Sequence, residues 1–205
     1  MKQMPSALQI IRDEHRAVAA VLRSLQPLIR QGPGDEPGRF FDILRAMLFY
    51  IDEFPEQRHH PKESNLLFPK LARLAPELMP VIQRLEDDHM QGEGQVRALQ
   101  HLLLAWELIG ASRQPAFSAA VKEYVDFYLD HMRIEETELL PVAERVLSQQ
   151  DKDELGRAFE ADRDPLAGGQ RDPNYEPLFT RIVLAAPAPV GVGPELAGTA
   201  MAGAR

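Results

Sequence analysis

The sequence predicts an all-α protein in which antiparallel helices pack as a bundle. Two observations carry this prediction. Apolar residues recur at three- and four-residue steps over long stretches, which is the pattern of a helix with one buried face. The chain also repeats itself after about 73 residues, a period that indicates a duplicated helical hairpin and not a solenoid. Of the 205 residues 44% are apolar, which is enough for a bundle core.

Caps and prolines predict the boundaries of the first two helices. Ser6 is a suitable N-cap for a first helix that ends near Ile29, before a cluster of glycine and proline. A second helix begins near Arg39. We expect it to break near Pro55 and to resume by His59, because proline removes a helical hydrogen bond.

The remaining helices follow the same reasoning. A third helix should run from about residue 76 to 109, where Gly110 stops it, and the small residues Gly92 and Gly94 within it should admit a close neighbour. A fourth helix should span residues 116–147. Asp151 is the expected cap of a shorter fifth helix, which ends near residue 163.

The chain should therefore have three parts. Residues 1–150 form the bundle, and residues 151–184 form an accessory helix with a packing extension. Residues 185–205 are rich in Ala, Pro and Gly and have little to bury, so we expect a mobile tail.

Composition narrows the function. A net charge of -8 and a pI near 5.3 argue against nucleic acid as a partner. No apolar run is long enough for a bilayer, and no signal-peptide core stands at the N-terminus, so we expect a cytoplasmic protein without membrane contact. The absence of cysteine excludes iron–sulfur clusters and thiolate zinc sites. Composition leaves homodimer formation open.

One repeat carries metal-binding chemistry. The segments HHPKESNLLFP, from residue 59, and HMRIEETELLP, from residue 131, share the pattern His-x3-Glu-x3-Leu-x-Pro. A spacing of four places imidazole and carboxylate on one helix face. The aligned pairs are His59 with Glu63 and His131 with Glu135.

The alignment also chooses between neighbours. His60 and Glu136 match the composition equally well, but they align with Met132 and Ser64. We therefore interpret His60, like His101, as a surface or satisfied core histidine.

A second repeat lies upstream of each motif. The segments IRDEHRAVAAVLRSL and LEDDHMQGEGQVRAL align His15 with His89. The acidic residues beside these histidines, Glu14 and the cluster 86–88, are interpreted as solvated faces.

In a bundle, six residues should converge: His15, His59, Glu63, His89, His131 and Glu135. Imidazole with carboxylate suits iron, manganese or zinc. Six protein ligands exceed what one tetrahedral zinc accepts. We therefore expect two metal ions bridged by both glutamates, one bound by His15 and His59 and the other by His89 and His131.

Glu93 is a seventh candidate ligand. It follows His89 by four residues and should face the same cavity, while its counterpart in the first half is Ala19. Glu93 would complete the coordination of one metal only, which would leave the other open to a small molecule.

At these residues the chain resembles the hemerythrin-like family, often called the HHE cation-binding domain, over about residues 9–149. The resemblance implies an up-and-down four-helix bundle that holds two non-haem irons bridged by carboxylates and an oxygen. Members bind dioxygen or sense oxygen, nitric oxide or iron. The family's histidine ligands fall on His15, His59, His89 and His131, and its bridging carboxylates on Glu63 and Glu135.

The sequence departs from oxygen-carrying hemerythrins in two places. Glu93 stands where the carriers have a fifth histidine, and Glu135 follows His131 by four residues where they have an aspartate at five. A carboxylate next to iron favours the ferric state. We therefore expect sensing, storage or slow oxidation in place of reversible carriage. The absence of cysteine also argues against the family's repair proteins.

The expected function is thus a non-haem di-iron protein that binds or senses dioxygen, nitric oxide, peroxide or iron, with zinc or manganese as substitute metals. The alternative is a di-iron oxidase or peroxidase that acts on a small reductant. A ferritin-like iron oxidase ranks lower, because Glu56-x-x-His59 and Glu86-x-x-His89 lie on the second and third helices and not on the second and fourth.

Overall fold

The structure, a computed structural model, describes residues 5–170 and 172–192, and every regular element in these ranges is helical. The α-helices are α1 (Ala7–Gln31), α2 (Pro37–Ile51), α3 (His60–Lys62), α4 (Phe68–Leu74), α5 (Met79–Ile109), α6 (Gln114–Ile134), α7 (Leu140–Val146), α8 (Gln149–Ala161) and α9 (Glu176–Ala185). Three π-helical segments continue them: π1 (Asp52–His59), π2 (Glu63–Leu67) and π3 (Glu135–Leu139).

Four helical rods form the bundle: α1, α2 to α4, α5, and α6 to α7. The first rod packs on α2 and α6, and α5 packs on the same two helices from the other side. Short turns join successive rods, so the predicted all-α up-and-down bundle is confirmed. The expected cap at Ser6 and the stop at Gly110 are also present, the latter with a φ of 106° that glycine adopts without strain.

The bundle holds two apolar cores with a polar layer between them. On α1, Ile11 belongs to one core and Leu22 to the other, while the buried Glu14 and His15 lie between. The other three rods repeat this division. Buried polar groups thus gather at mid-height of the bundle, where they need partners or a bound cation.

The expected break near Pro55 is absent. The helix continues through π1, where the N–H of His60 bonds to the carbonyl of Pro55, five residues back. A π turn takes up one extra residue inside a helix and so accommodates a proline that would interrupt the α-helical bonds. The second rod therefore carries His59 into the bundle without a kinked restart.

The repeated Leu-x-Pro has a similar explanation. Pro69 lacks the N–H that an α-helix would pair four residues back. The N–H of the preceding residue, Phe68, bonds to Glu63, five residues back. The same bond pattern in π3 precedes Pro141. Each ligand glutamate therefore begins a π turn, which is a feature that often marks functional sites.

The chain after the bundle packs on its outside. Helix α8 lies on α1, and α9 lies on α2. The cap of α8 is Ser148 and not Asp151, which lies three residues later and closes a capping box with Ser148. Between α8 and α9, the segment 162–170 crosses over α1 and the second rod.

Part of the expected mobile tail, residues 185–192, lies within the described structure. Ala186 is buried, and the hydroxyl of Ser24 on α1 donates to the carbonyl of Pro187 and accepts from the N–H of Val190. The segment 185–192 therefore packs against the bundle, and residues 193–205 lie outside the described part. Within that part, no helix combines the length and the apolar character that a membrane crossing requires.

Candidate metal centre

All four rods contribute to two groups of buried side chains in the polar layer. The first position consists of His15, His59, Glu63 and Glu135, and the second position of His60, Glu63, His89 and His131; within each group the potential ligand atoms lie within 4.8 Å of one another. The structure thus brings together the six residues that the repeats single out, in the expected histidine pairs. Glu63 belongs to both positions, whereas Glu135 belongs to the first only.

The inward-facing atoms approach closely. His59 Nε2 lies 2.8 Å from Glu63 Oε1, and His89 Nε2 lies 3.4 Å from Glu63 Oε2. His15 Nε2 lies 3.2 Å from Glu135 Oε2. Both carboxylates are fully buried. Glu63, in the first half of the repeat, therefore contacts His89 of the second half. Glu135, in the second half, contacts His15 of the first half.

Acidic side chains hold the outer nitrogens of the motif histidines. Glu14 Oε2 lies 2.6 Å from His59 Nδ1, and Asp88 Oδ2 lies 3.4 Å from His131 Nδ1. Glu14 and Asp88 precede His15 and His89 and are equivalent in the repeat. The interpretation of these residues as solvated is therefore wrong, and the repeat alignment already contained the signal that pairs them.

A second set of contacts crosses between the halves. Glu136 Oε1 lies 2.9 Å from His15 Nδ1, and its repeat counterpart Ser64 lies 3.1 Å from His89 Nδ1. The Ser64 hydroxyl donates onward to Glu86 at 2.8 Å. Each half of the chain therefore orients a histidine of the other half.

These outer contacts orient the imidazoles. The buried glutamates outweigh the effect of burial, so they raise the pKa of His15 to about 9 and that of His59 well above its usual value. A bound metal would displace the Nε2 proton while Nδ1–H donates outward, as in most histidine metal ligands. Several inward atoms have no hydrogen-bond partner in the described structure: Nε2 of His59, His89 and His131, and both carboxylate oxygens of Glu63 and Glu135. Buried polar atoms without partners are rare, and a bound cation would satisfy these.

Electrostatics leads to the same conclusion. Burial alone raises the pKa of Glu63, but the adjacent His59 and His89 bring that pKa well below its usual value. Burial and the neighbouring Glu63 carboxylate raise the pKa of Glu135. Two buried carboxylates that face each other repel, and a divalent cation between them would remove the repulsion.

His60 is the residue that alignment set aside. It is buried in the second position, where its ring stacks on His89 at 3.9 Å between centroids. Burial and the rings of His89 and His131 hold its pKa well below the usual value, so the imidazole is neutral. Both nitrogens have partners, Glu56 at 3.0 Å from Nδ1 and the Tyr128 hydroxyl at 2.9 Å from Nε2. Coordination through Nε2 would replace the tyrosine.

Gly92 makes room for the side chain that holds His60. A Cβ at Gly92 would lie 3.0 Å from Glu56 Oε1, so this glycine admits a close neighbour as predicted, whereas a Cβ at Gly94 would meet nothing within 4 Å. Glu56 also accepts a hydrogen bond from Tyr124, at 2.9 Å. Burial raises the pKa of Glu56 to about 8.

Glu93 does not face the cavity. Its side chain is 42% exposed, and its carboxylate pairs with Arg97 and lies 3.3 Å from the Gln57 amide. The expectation failed because His89 and Glu93, although four residues apart, diverge at the edge of the layer, where a long solvated side chain turns outward. His60, from the second rod, lies nearest to the second position instead.

A small cavity adjoins the first position. It measures about 10 Å³ and is bounded by His15, His59, His60 and Tyr128 together with both charged and apolar side chains. This volume accepts about one water-sized molecule. The chemistry that the space allows therefore involves ligands of very few atoms.

Comparison with known proteins agrees with this geometry. No curated protein and no solved structure matches the chain. The family model described as hemerythrin HHE cation binding domain matches residues 6–143, which include every residue of both positions. The chain belongs to the hemerythrin HHE cation-binding family.

Proposed function

We propose that this protein binds two iron ions in the polar layer and uses them to bind or sense dioxygen or a related small molecule, such as nitric oxide or peroxide. The observation that carries the proposal is the pair of buried groups that share Glu63. Neutral imidazoles and carboxylates are donors that suit iron, with manganese or zinc as substitutes. Bound iron would supply reversible ligand binding and redox chemistry.

Each residue of the layer has a task in this proposal. Glu63 would hold both ions, and Glu135 would contribute to the first position only. The histidines bind through Nε2, because Glu14, Glu136, Asp88 and Ser64 hold Nδ1. The protein thereby presents a preformed site from which bulk water is largely excluded.

The sequence-based argument against reversible oxygen carriage no longer applies. It assumed a Glu93 carboxylate beside the metal, and that carboxylate is on the surface with Arg97. The second position has a third imidazole, His60, in its place. Carriage, sensing and storage of oxygen are therefore all compatible with the donor set, and the proposal is limited to small-molecule binding.

The first experiment is metal analysis with an absorption spectrum on protein from iron-supplemented cells. We expect about two irons per chain and near-ultraviolet bands of a bridged ferric pair, in line with two groups of histidine and carboxylate donors. The bands should disappear in Glu63→Ala. One zinc per chain, or no metal in protein that folds normally, would contradict the proposal.

The alternative is a di-iron oxidase or peroxidase. The cavity of about 10 Å³ has no room for an organic reductant beside the first position, which favours binding over oxidation of a larger substrate. Many turnovers of peroxide by the reduced protein, with a reductant in solution, would establish the enzyme, whereas a single stoichiometric reaction would support the binding protein.

A further inference from the structure

We propose that the chain segment after the bundle forms the entrance through which small molecules reach the first position, and that Arg58 is its gate. This inference rests on the proposed function. The segment lies outside the family match, which ends at residue 143. The entrance therefore combines residues of this chain's own extension with Phe54 and Arg58, which lie within the matched residues.

Two neighbouring spaces share part of their lining, and we call the three shared side chains the partition. The inner space is the cavity of about 10 Å³ beside the first position, and the outer one is a pocket of about 210 Å³. The outer pocket is lined on its far side by extension residues that include Ala161, Pro165 and Gln170. Both spaces are bounded by Phe54, Arg58 and Asp162. A molecule that passes these three side chains moves directly from the pocket to the metal position.

Arg58 is the part of the partition that can move. Its guanidinium lies between two rings, 4.6 Å from the centroid of Phe54 and 4.9 Å from that of Tyr175. It donates to Glu53 at 2.7 Å and to the Tyr175 hydroxyl at 2.8 Å. Tyr175 precedes α9, so the extension itself keeps the gate closed. A long, partly exposed side chain can rotate away without moving the backbone.

A second pocket also borders the first position, but it reaches the outer nitrogen of His15 and not the nitrogen that faces the metal position. This pocket, of about 480 Å³, is lined by His15, Arg133 and Glu136 among others. Glu136 contacts Nδ1 of His15, whereas Nε2 of the same ring faces Glu135. The imidazole therefore stands between this pocket and the metal-binding atoms. The pocket provides a matched control, because it too contains an arginine at its surface.

The test is the rate at which azide, a small linear anion, binds to the iron-loaded full-length protein, followed by stopped-flow absorption. We expect Arg58→Ala to raise the association rate about tenfold, as for a barrier lowered by about 1.4 kcal/mol. Tyr175→Phe should raise it less, because the ring remains. Gln170→Trp, which fills part of the outer pocket, should lower the rate. Arg133→Ala should leave it unchanged.

Iron content separates the two proposals. Two irons per chain with an azide rate that is the same in Arg58→Ala and Gln170→Trp as in the wild type would overturn the entrance and leave the proposed function in place. Acceleration in Arg133→Ala alone would move the entrance to the other pocket. Failure to bind iron would overturn both. If Arg58→Ala does not fold, Arg58→Met retains the packing between the rings while it removes the hydrogen bonds, and it should accelerate binding.

Discussion

The two metal positions are built alike but covered differently. In both, a residue before the upstream histidine orients the motif histidine, and a residue after the motif glutamate orients the upstream histidine of the other half. The first position adjoins a cavity closed by the extension. The second is packed with aromatic rings, since His60, His89 and Phe68 stack on one another. Repetition thus accounts for the two groups of potential ligands, and the entrance that we propose would make the non-repeated parts decide which position small molecules reach.

The largest predicted effect concerns Glu63, the glutamate that the two positions share. Glu63→Ala removes a ligand from both positions, so metal content should fall from about two ions per chain to well below one. Glu135 lies in the first position only, so Glu135→Ala should retain roughly one ion. Metal analysis of both purified variants checks this, with circular dichroism as the control for folding. Equal losses in the two variants would show that both glutamates bridge.

The outer partners should act on one position each. Glu14→Gln weakens the hydrogen bond to Nδ1 of His59, and Asp88→Asn weakens the hydrogen bond to Nδ1 of His131. Loss of such a partner lowers metal affinity about 10- to 100-fold. Competition with a chelator should therefore show one weakened and one unchanged ion in each variant. Asp87→Asn, a neighbouring acidic residue outside these contacts, is the matched control and should behave like the wild type.

The extension can be disturbed without touching either position. At Gly169 a Cβ would lie 2.0 Å from the carbonyl oxygen of Arg163, so Gly169→Ala forces the segment open. We expect the free energy of unfolding to fall by about 2 kcal/mol, as measured in urea. Gly156→Ala, in helix α8, has its nearest neighbour at 3.9 Å and should gain up to about 1 kcal/mol. Azide binding should accelerate in Gly169→Ala only.

The last prediction concerns pH. Burial raises the pKa of Asp164 from 3.8 to about 6, although the Tyr50 hydroxyl donates to its carboxylate. The folded state therefore holds a proton that the unfolded state releases, and stability is lost as pH rises from about 4 to about 6. Asp164→Asn cannot lose this proton. Relative to wild type, the metal-free variant should gain about 2 kcal/mol between pH 4 and pH 7 in urea unfolding. A constant difference across this range would contradict the raised pKa.

The sequence was informative where two copies of a pattern could be compared. Alignment of the repeats identified the residues that line the first position and two of the three histidines of the second. It failed at Glu93, and it left out His60, which is a satisfied core histidine as expected but also belongs to the second position. Neither residue has an equivalent counterpart in the other half. A residue without a counterpart in the other half offers no second copy for comparison. Whether its side chain turns inward at the edge of the polar layer depends on tertiary packing.

Helix boundaries show the same limit. Caps and glycines predicted the ends of α1 and α5, because those signals act locally. Pro55 was misread as a break, since its effect depends on whether the helix can add a residue per turn. The packing of the segment 185–192 was missed because Ala and Pro bury little surface, and its contacts rely on backbone groups bonded to Ser24.

The π turns have a consequence for engineering. A π turn is an α-helix with one residue inserted, so π2 and π3 work as spacers that set the rotation of everything after them. Removal of Asn65 would restore α-helical register and rotate the following side chains by about 100°. Leu67 and Leu71, which lie in the core beyond the site, would then leave it. Anyone who transplants His-x3-Glu into another bundle must therefore transfer the inserted residue and its proline together with the ligands.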